Sequence, residues 1–272
     1  MTHFKGRLWK HDSEGFILND ADATHLQPPF SIPIDKARSE YIRILGNSLH
    51  SIYVTGSVSR GLAVQGKSDL DLFAVLRPGS ENSDDTSIVD ASRGVHRRFP
   101  WLSDVQMEVW RWDYAFAPQS PFSIGSFIIK THSICIYGDD LAPRIPRFKP
   151  SAHVAADDIA QIKPDIEEAI SEINKDPGAE NVSYCCKRIM KNIVRTGFAL
   201  VMLEEKSHTR DLDLCCEIFS KYFPEKKLNM ERAVELSLHS LTSRDELLAF
   251  INSFGNWIMA QADTWLLEHR RH

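Results

Sequence analysis

Two aspartates, Asp69 and Asp71, stand two positions apart at the start of an apolar run that continues to Leu76. Such a run predicts a β-strand, and because successive strand side chains point to opposite faces, both carboxylates share one face. Two carboxylates held this close repel each other unless a cation lies between them or one of them takes a proton. An all-oxygen pair suits Mg²⁺, which binds one or two carboxylates together with substrate phosphates. The pair therefore predicts a magnesium site that handles phosphate groups.

A Gly56-Ser57 pair ends the preceding apolar run, residues 51–55. A turn at this point exposes backbone N–H groups and a hydroxyl at the start of the next segment, where they can bind phosphate oxygens. Arg60 and Lys67 lie in the same loop and are further candidates for phosphate contacts. Together with the aspartate pair, the turn predicts chemistry on a nucleoside triphosphate bound to Mg²⁺.

The arrangement of Gly-Ser, eleven residues and Asp-x-Asp resembles the signature of the nucleotidyltransferase superfamily that includes DNA polymerase beta. The likeness is greater to its bacterial small-molecule branch, the aminoglycoside and lincosamide nucleotidyltransferases. The resemblance implies that Asp69 and Asp71 bind Mg²⁺ and the triphosphate, that Ser57 contacts the phosphates, and that a third carboxylate lies on a neighbouring strand. The motif is specific because it requires three elements in order: a strand, a Gly-Ser turn, and a second strand that begins with Asp-x-Asp. The alternative is a turn before an ordinary strand with solvated aspartates.

The third carboxylate has two candidates near a third predicted strand, residues 105–112. Odd positions of this strand are apolar and even ones mostly polar, which puts Glu108 on the polar face. Asp104 shares the parity but lies four residues upstream, about 13 Å away along a strand. The resemblance implies an acid within the strand, which favours Glu108. In the aminoglycoside branch the corresponding acid serves as general base for the acceptor hydroxyl, and in the polymerase branch it binds metal. Both roles stay open for Glu108.

A stripe of positive charge lies on a predicted helix in the second half of the chain, and it comprises Lys187, Arg188, Lys191 and Arg195. Three of these residues follow i, i+3, i+7 spacing and share one face. In an acidic protein such a stripe favours an anionic partner, and relatives grip the triphosphate with a Lys or Arg from their helical domain. Lys191 is the principal candidate. The alternatives are a solvated face or salt bridges to the acidic helix that precedes it.

The predicted elements divide the chain into a mixed domain, residues 1–148, and an all-helical domain, residues 149–272. The first 34 residues are predicted to be irregular. The first domain combines strands at 51–55, 69–76, 105–112 and 133–137 with helices at 35–50, 87–99 and 122–132. After a proline-rich basic linker only helices are predicted, at 154–175, 182–205, 212–223, 229–240 and 245–269. This is an α+β fold: a nucleotidyltransferase domain followed by a helical bundle.

Composition bounds the class of protein. The 272 residues are 43% hydrophobic and 25% charged, which is typical of a soluble globular protein. The net charge of −5 makes nucleic acid an unlikely partner. No signal peptide and no membrane span are predicted. The five cysteines include no Cys-x-x-Cys motif, so reduced thiols and a cytoplasmic location are expected. The oligomeric state stays open.

The sequence thus predicts a Mg²⁺-dependent nucleotidyltransferase with Asp69, Asp71 and Glu108 as catalytic residues and metal ligands. It would move a nucleoside monophosphate, AMP from ATP, to a hydroxyl of a small molecule such as an antibiotic, releasing pyrophosphate. One alternative is a non-catalytic nucleotide-binding protein. Another is AMP transfer to a protein partner, as in toxin–antitoxin relatives. The helical half holds no convincing Arg, four to six residues, His signature of that partner, and the chain supplies its own helical domain.

Overall fold

The computed structural model describes residues 6–80, 85–117, 119–120 and 122–269. Packing divides them into two compact units. The first unit is Lys10–Phe148. The second unit consists of the described residues from Lys149 onward together with those before Lys10. Trp9 explains this assignment of the N-terminal residues. Its buried ring packs edge-on against His208, and the backbone N–H of Trp9 donates to the backbone carbonyl of His208. The sequence predicts this segment as part of the first domain, residues 1–148.

A mixed four-stranded sheet organises the first unit, in the order β3-β2-β1-β4. The strands are β1 (Leu49–Thr55), β2 (Leu70–Leu76), β3 (Val105–Trp110) and β4 (Ile134–Gly138). Strand β1 runs antiparallel to both β2 and β4, whereas β2 and β3 are parallel. The helices of this unit are α1 (Ser31–Leu45), α2 (Gly56–Ser59), α3 (Asp85–Arg98), α4 (Trp112–Ala115) and α5 (Ile124–His132).

The alternation of side chains gives the sheet two different faces. Ile52 of β1 and Leu72 of β2 point into a core that also contains Tyr41 of α1 and Ile88 of α3. Burial of such apolar side chains contributes about 1.5–3 kcal/mol each. Successive side chains of a strand point to opposite faces, so the residues that alternate with these core positions belong to the other face. They are Tyr53, Asp71, Phe73, Glu108 and Trp110. The core therefore fixes which side chains the second face presents.

The ends of helix α1 and of strand β3 differ from the sequence prediction. Helix α1 begins at Ser31, not near Asp35, and Pro33 lies in its first turn, where the missing N–H has no helical partner to lose. It ends at Leu45 because Gly46 follows with φ of +48°, so the predicted end near residue 50 was wrong. Strand β3 ends at Trp110, and Trp112 begins α4 instead of closing the strand.

The second unit is helical over the residues that the structure describes, as predicted. Its helices are α6 (Ala152–Lys175), α7 (Ala179–Ala199), α8 (Met202–Glu205), α9 (Leu212–Tyr222), α10 (Lys227–Leu238), α11 (Arg244–Phe250) and α12 (Asn256–His269). Two long predicted helices are interrupted: one at Leu200–Val201, and one by a π-helical turn, Ile251–Gly255. All five cysteines are free thiols, four of them buried. None of the described helices is long and apolar enough to cross a membrane.

Candidate active site

The turn from β1 into α2 brings Gly56 against Asp71. Gly56 has φ of +75°, a conformation that side-chain-bearing residues rarely adopt. A Cβ atom added there would lie 2.2 Å from Oδ2 of Asp71, so only glycine allows the carboxylate to approach this backbone. The approach follows from the register, because Thr55 at the end of β1 pairs with Asp71. The two parts of the Gly-Ser and Asp-x-Asp motif are therefore in contact.

Ser57 supplies a polar atom that lacks an intramolecular role. Its Oγ is buried and has no hydrogen-bond partner within the described part of the chain. A buried polar group left unsatisfied costs about 1–3 kcal/mol. Its place in the first turn of α2, beside backbone N–H groups, suits an oxygen of a bound phosphate. The turn thus fits the triphosphate that the sequence predicted for it.

Replacing Ser57 by Ala is expected to change stability and nucleotide affinity in opposite directions. Without ligand, the free energy of unfolding should stay the same or rise by up to about 1 kcal/mol, because an unsatisfied buried hydroxyl is removed. Affinity for ATP–Mg²⁺ should fall. Thermal unfolding with and without ATP–Mg²⁺ measures both. Ser59→Ala is the matched control, since that hydroxyl donates to the carbonyls of Gly56 and His132 and its loss should destabilise the ligand-free protein. An unchanged ATP-induced shift in Ser57→Ala would contradict a phosphate contact.

Asp69 directly precedes β2, and Asp71 lies in the strand, on the face opposite Leu70 and Leu72. Both are partly exposed, whereas Leu70 and Leu72 are buried on the core face. The backbone N–H of Leu70, the first residue of β2, donates a hydrogen bond to the carbonyl of Asp104, which directly precedes β3. The carboxylate of Asp104 accepts the N–H of Val105 at 2.8 Å, so this acid caps its own strand. The two aspartates of the motif remain the acids gathered at the turn.

Glu108 lies on the same face of the sheet but one step farther along. It pairs with Phe73, while Asp71 pairs with Gln106. Glu108 is exposed, and its Oε2 accepts a hydrogen bond of 2.7 Å from Nε1 of Trp110. Among the described residues, no three His, Cys, Asp or Glu side chains are gathered so as to hold a metal ion. Asp69 and Asp71 stay the predicted oxygen pair for Mg²⁺, with phosphate oxygens completing its ligands, and Glu108 stays a predicted ligand or base.

Tyr41 anchors the backbone beneath this face, and sequence reasoning missed it. Its hydroxyl donates to the carbonyl oxygens of Glu108, at 2.9 Å, and Leu72, at 3.2 Å. Burial and the nearby charge of Glu108 raise the pKa of Tyr41 well above its usual range. The hydroxyl therefore keeps its proton and remains a donor. It holds β2 and β3 in a fixed register next to the acids.

The loop cations differ in their surroundings. Arg60 is buried, with its guanidinium 3.7 Å from the buried carboxylate of Asp20. A backbone bond from Asp22 to Ser59 ties the same N-terminal segment to the end of α2. Nothing in the sequence pattern indicated this contact, because it joins an irregular segment to a distant loop. Lys67 is exposed in the loop before Asp69.

In the second unit, the predicted basic stripe lies on α7. Arg188 pairs with Glu172 at 2.6 Å and with Glu168 at 3.5 Å, both on α6. This is the salt-bridge arrangement that the sequence analysis gave as the alternative to phosphate contacts. Lys187 and Lys191 are partly buried on the same helix. Arg188 is therefore engaged with α6, and contacts of Lys187 and Lys191 with an anionic ligand stay a prediction.

Comparisons with known proteins bear on this arrangement. Residues 35–130 match the family model described as a nucleotidyltransferase domain. Among the solved structures that match is spectinomycin adenyltransferase from Enterococcus faecialis, crystallised with ATP and spectinomycin. It is 15% identical to this chain, with a TM-score of 0.51, and the match covers 86% of this chain and 99% of the other. At this identity the likeness is one of fold. No curated protein matches the sequence.

Proposed function

We propose that the chain transfers AMP from ATP to a hydroxyl of a small-molecule acceptor, and that residues 35–130, which match the nucleotidyltransferase domain, carry this activity. The domain makes the chain a transferase of nucleotidyl groups, as the Gly-Ser and Asp-x-Asp pattern predicted. The observation that carries the proposal is the buried, unsatisfied hydroxyl of Ser57, on a turn whose glycine lies against Asp71. A phosphate oxygen and a cation would complete this arrangement.

Each part of the turn has a task in this proposal. The hydroxyl of Ser57 and the first N–H groups of α2 bind phosphate oxygens of ATP. Asp69 and Asp71 would hold Mg²⁺, which supplies charge neutralisation and orientation of the triphosphate when bound. Gly56 lets the Asp71 carboxylate and the phosphate-binding backbone occupy one small volume. Most of the acceleration then comes from positioning and electrostatic stabilisation.

Glu108 is the proposed general base. An acceptor oxygen attacks the α-phosphorus in line, the new P–O bond forms, and the bond to pyrophosphate breaks. The proton of the attacking hydroxyl passes to the carboxylate of Glu108. The exposure of this carboxylate and its place on the same face as Asp71 support the role. The role holds only if the acceptor hydroxyl comes within hydrogen-bond reach.

An antibiotic-like acceptor is the preferred class. The fold is shared with an adenyltransferase crystallised with ATP and spectinomycin, which makes a polyhydroxylated small molecule the first acceptor to test. An acceptor-dependent release of pyrophosphate from ATP and Mg²⁺, measured across a set of aminocyclitols and aminoglycosides, tests the proposal. Nucleotide binding without release, whatever the acceptor, would favour a non-catalytic binding protein. Transfer of adenylate to a protein alone would favour the toxin–antitoxin alternative.

Lys191 is the cation that we propose as a contact of the triphosphate. Lys191→Ala should weaken binding of ATP–Mg²⁺ by about 1–3 kcal/mol, the range for a lost charge-assisted hydrogen bond. Isothermal titration calorimetry of the full chain measures this loss. Lys175→Ala, which removes an exposed lysine at the end of α6, is the control and should bind as the wild type does. Equal affinity in Lys191→Ala and wild type would leave the phosphates to the first unit and disprove the contact.

A further inference from the structure

Trp110 is held rigidly on the face of the sheet that carries the acids. Its ring stacks on Phe73, with centroids 3.6 Å apart and planes inclined by 12°. Phe73 in turn stacks on Tyr53 at 5.1 Å, and Tyr114 packs edge-on against the indole at 5.0 Å. Contacts of this kind contribute about 0.5–1.5 kcal/mol each beyond the area they bury. A ring fixed on both sides has an N–H with a fixed direction.

That N–H is aimed at Glu108. The indole nitrogen is a donor only, so the bond of 2.7 Å to Oε2 has one possible sense. A hydrogen bond to a carboxylate is charge-assisted and stronger than a neutral one. The backbone of Glu108 is fixed separately, by the hydroxyl of Tyr41 on its carbonyl oxygen. Side chain and main chain of this acid are thus held by two independent donors.

The register and the stacking of the indole show at which level of the strands the carboxylate is held. Along β2 and β3 the paired residues are Asp71 with Gln106, Phe73 with Glu108, and Val75 with Trp110. Glu108 is already two residues, about 7 Å, along the strand from the partner of Asp71. Trp110 lies two residues farther in the same direction. The indole ring nevertheless lies on Phe73, the pairing partner of Glu108, so its hydrogen bond holds the carboxylate at the level of Phe73 and not at that of Asp71. Shared binding of one cation would require oxygens of all three acids at about 2–2.6 Å from the ion.

We propose that Trp110 is a positioning residue that holds Glu108 outside the metal site and orients it as the general base for the acceptor hydroxyl. The inference rests on the proposed function and decides between the two roles that the sequence left open for this acid. Trp110 touches neither nucleotide nor acceptor in this role and acts through Glu108 alone. Its removal should therefore affect turnover without affecting nucleotide binding, and only while Glu108 is present.

Trp110→Phe tests the inference, because phenylalanine keeps an aromatic ring in the stack and removes the donor. We expect kcat to fall about ten- to hundredfold, the range for a misplaced catalytic group. The KM for ATP and the Kd of ATP–Mg²⁺ should stay within about twofold of wild type. In the Glu108→Gln background, the same substitution should lower kcat no further. Trp112→Phe, the same change two residues on, is the matched control and should leave both constants unchanged.

The positioning role would be overturned by full kcat in Trp110→Phe, or by an equal further loss in the Glu108→Gln background. Loss of nucleotide affinity in Trp110→Phe would also do so, since it would place the indole in the binding site. If Trp110→Phe melts below the assay temperature, 3-benzothienylalanine at position 110 keeps the shape of the indole and lacks its N–H, and the same outcomes apply. Normal turnover in Asp71→Asn would instead refute the proposed function itself.

Discussion

Asp71→Asn is expected to lower turnover by about 10³-fold or more while leaving the fold intact. Asparagine preserves the shape beside Gly56 but removes the negative charge proposed to hold Mg²⁺. Metal binding supplies several kcal/mol of stabilisation to the transition state, and each 1.4 kcal/mol is about a factor of ten in rate. Asp69→Asn should behave in the same way. Steady-state pyrophosphate release measures turnover, and thermal unfolding reports on the fold.

The stability of these variants gives an independent check. Without Mg²⁺, two neighbouring carboxylates repel each other, so removing one charge should leave the melting temperature unchanged or raise it. Added Mg²⁺ and ATP should stabilise wild type more than either variant, because ligand binding stabilises the folded state by mass action. Asp104→Asn is the control: its carboxylate caps the N–H of Val105, and turnover should stay near that of wild type. Normal turnover in Asp69→Asn or Asp71→Asn would be incompatible with the assignment.

Glu108→Gln has the second large effect: kcat should fall by about 10²–10⁴-fold, the range for loss of a general base. The amide has the size of the carboxylate and can still accept the hydrogen bond from Trp110, so packing is preserved. Affinity for ATP–Mg²⁺ should be unchanged, because Glu108 is proposed to act on the acceptor. The KM for ATP should change little for the same reason.

Calorimetric titration of Glu108→Gln with ATP–Mg²⁺ separates the two roles. Wild-type affinity with low kcat is the result expected for a base. A large loss of nucleotide affinity would instead make Glu108 a metal ligand, and the separation of this acid from the aspartate pair would then change when the nucleotide binds. Wild-type kcat together with wild-type affinity would remove Glu108 from the mechanism.

The sequence predicted the site where its pattern is local. The Asp-x-Asp spacing and the alternation of β2 place both aspartates on one face because strand geometry has a period of two. The same parity placed Glu108 on the polar side of β3. Gly56 could be recognised as part of the turn, but its contact with Asp71 depends on the pairing of β1 with β2.

Features that depend on tertiary contacts could not be predicted. Arg60 is buried beside Asp20, and this contact joins a loop to an irregular N-terminal segment. That segment has no helical or strand periodicity of apolar residues from which its position could be predicted. The hydrogen bond from Trp110 to Glu108 accompanies the stacking of the indole on Phe73, a contact between neighbouring strands. Helix α1 was predicted to begin near Asp35 because the prolines up to Pro33 were taken as the end of an irregular segment, although the first helical turn tolerates proline.

The transfer of adenylate itself is the most direct test of the central claim. ATP labelled at the α-phosphate is incubated with Mg²⁺, the full chain and a polyhydroxylated acceptor such as spectinomycin, and the products are separated and identified by mass spectrometry. The predicted result is an acceptor carrying one adenylate, with one pyrophosphate released for each transfer, and no such product with Asp71→Asn. Labelled acceptor formed equally by Asp71→Asn, or bound ATP with no labelled product from any hydroxyl-bearing acceptor, would contradict the proposed function.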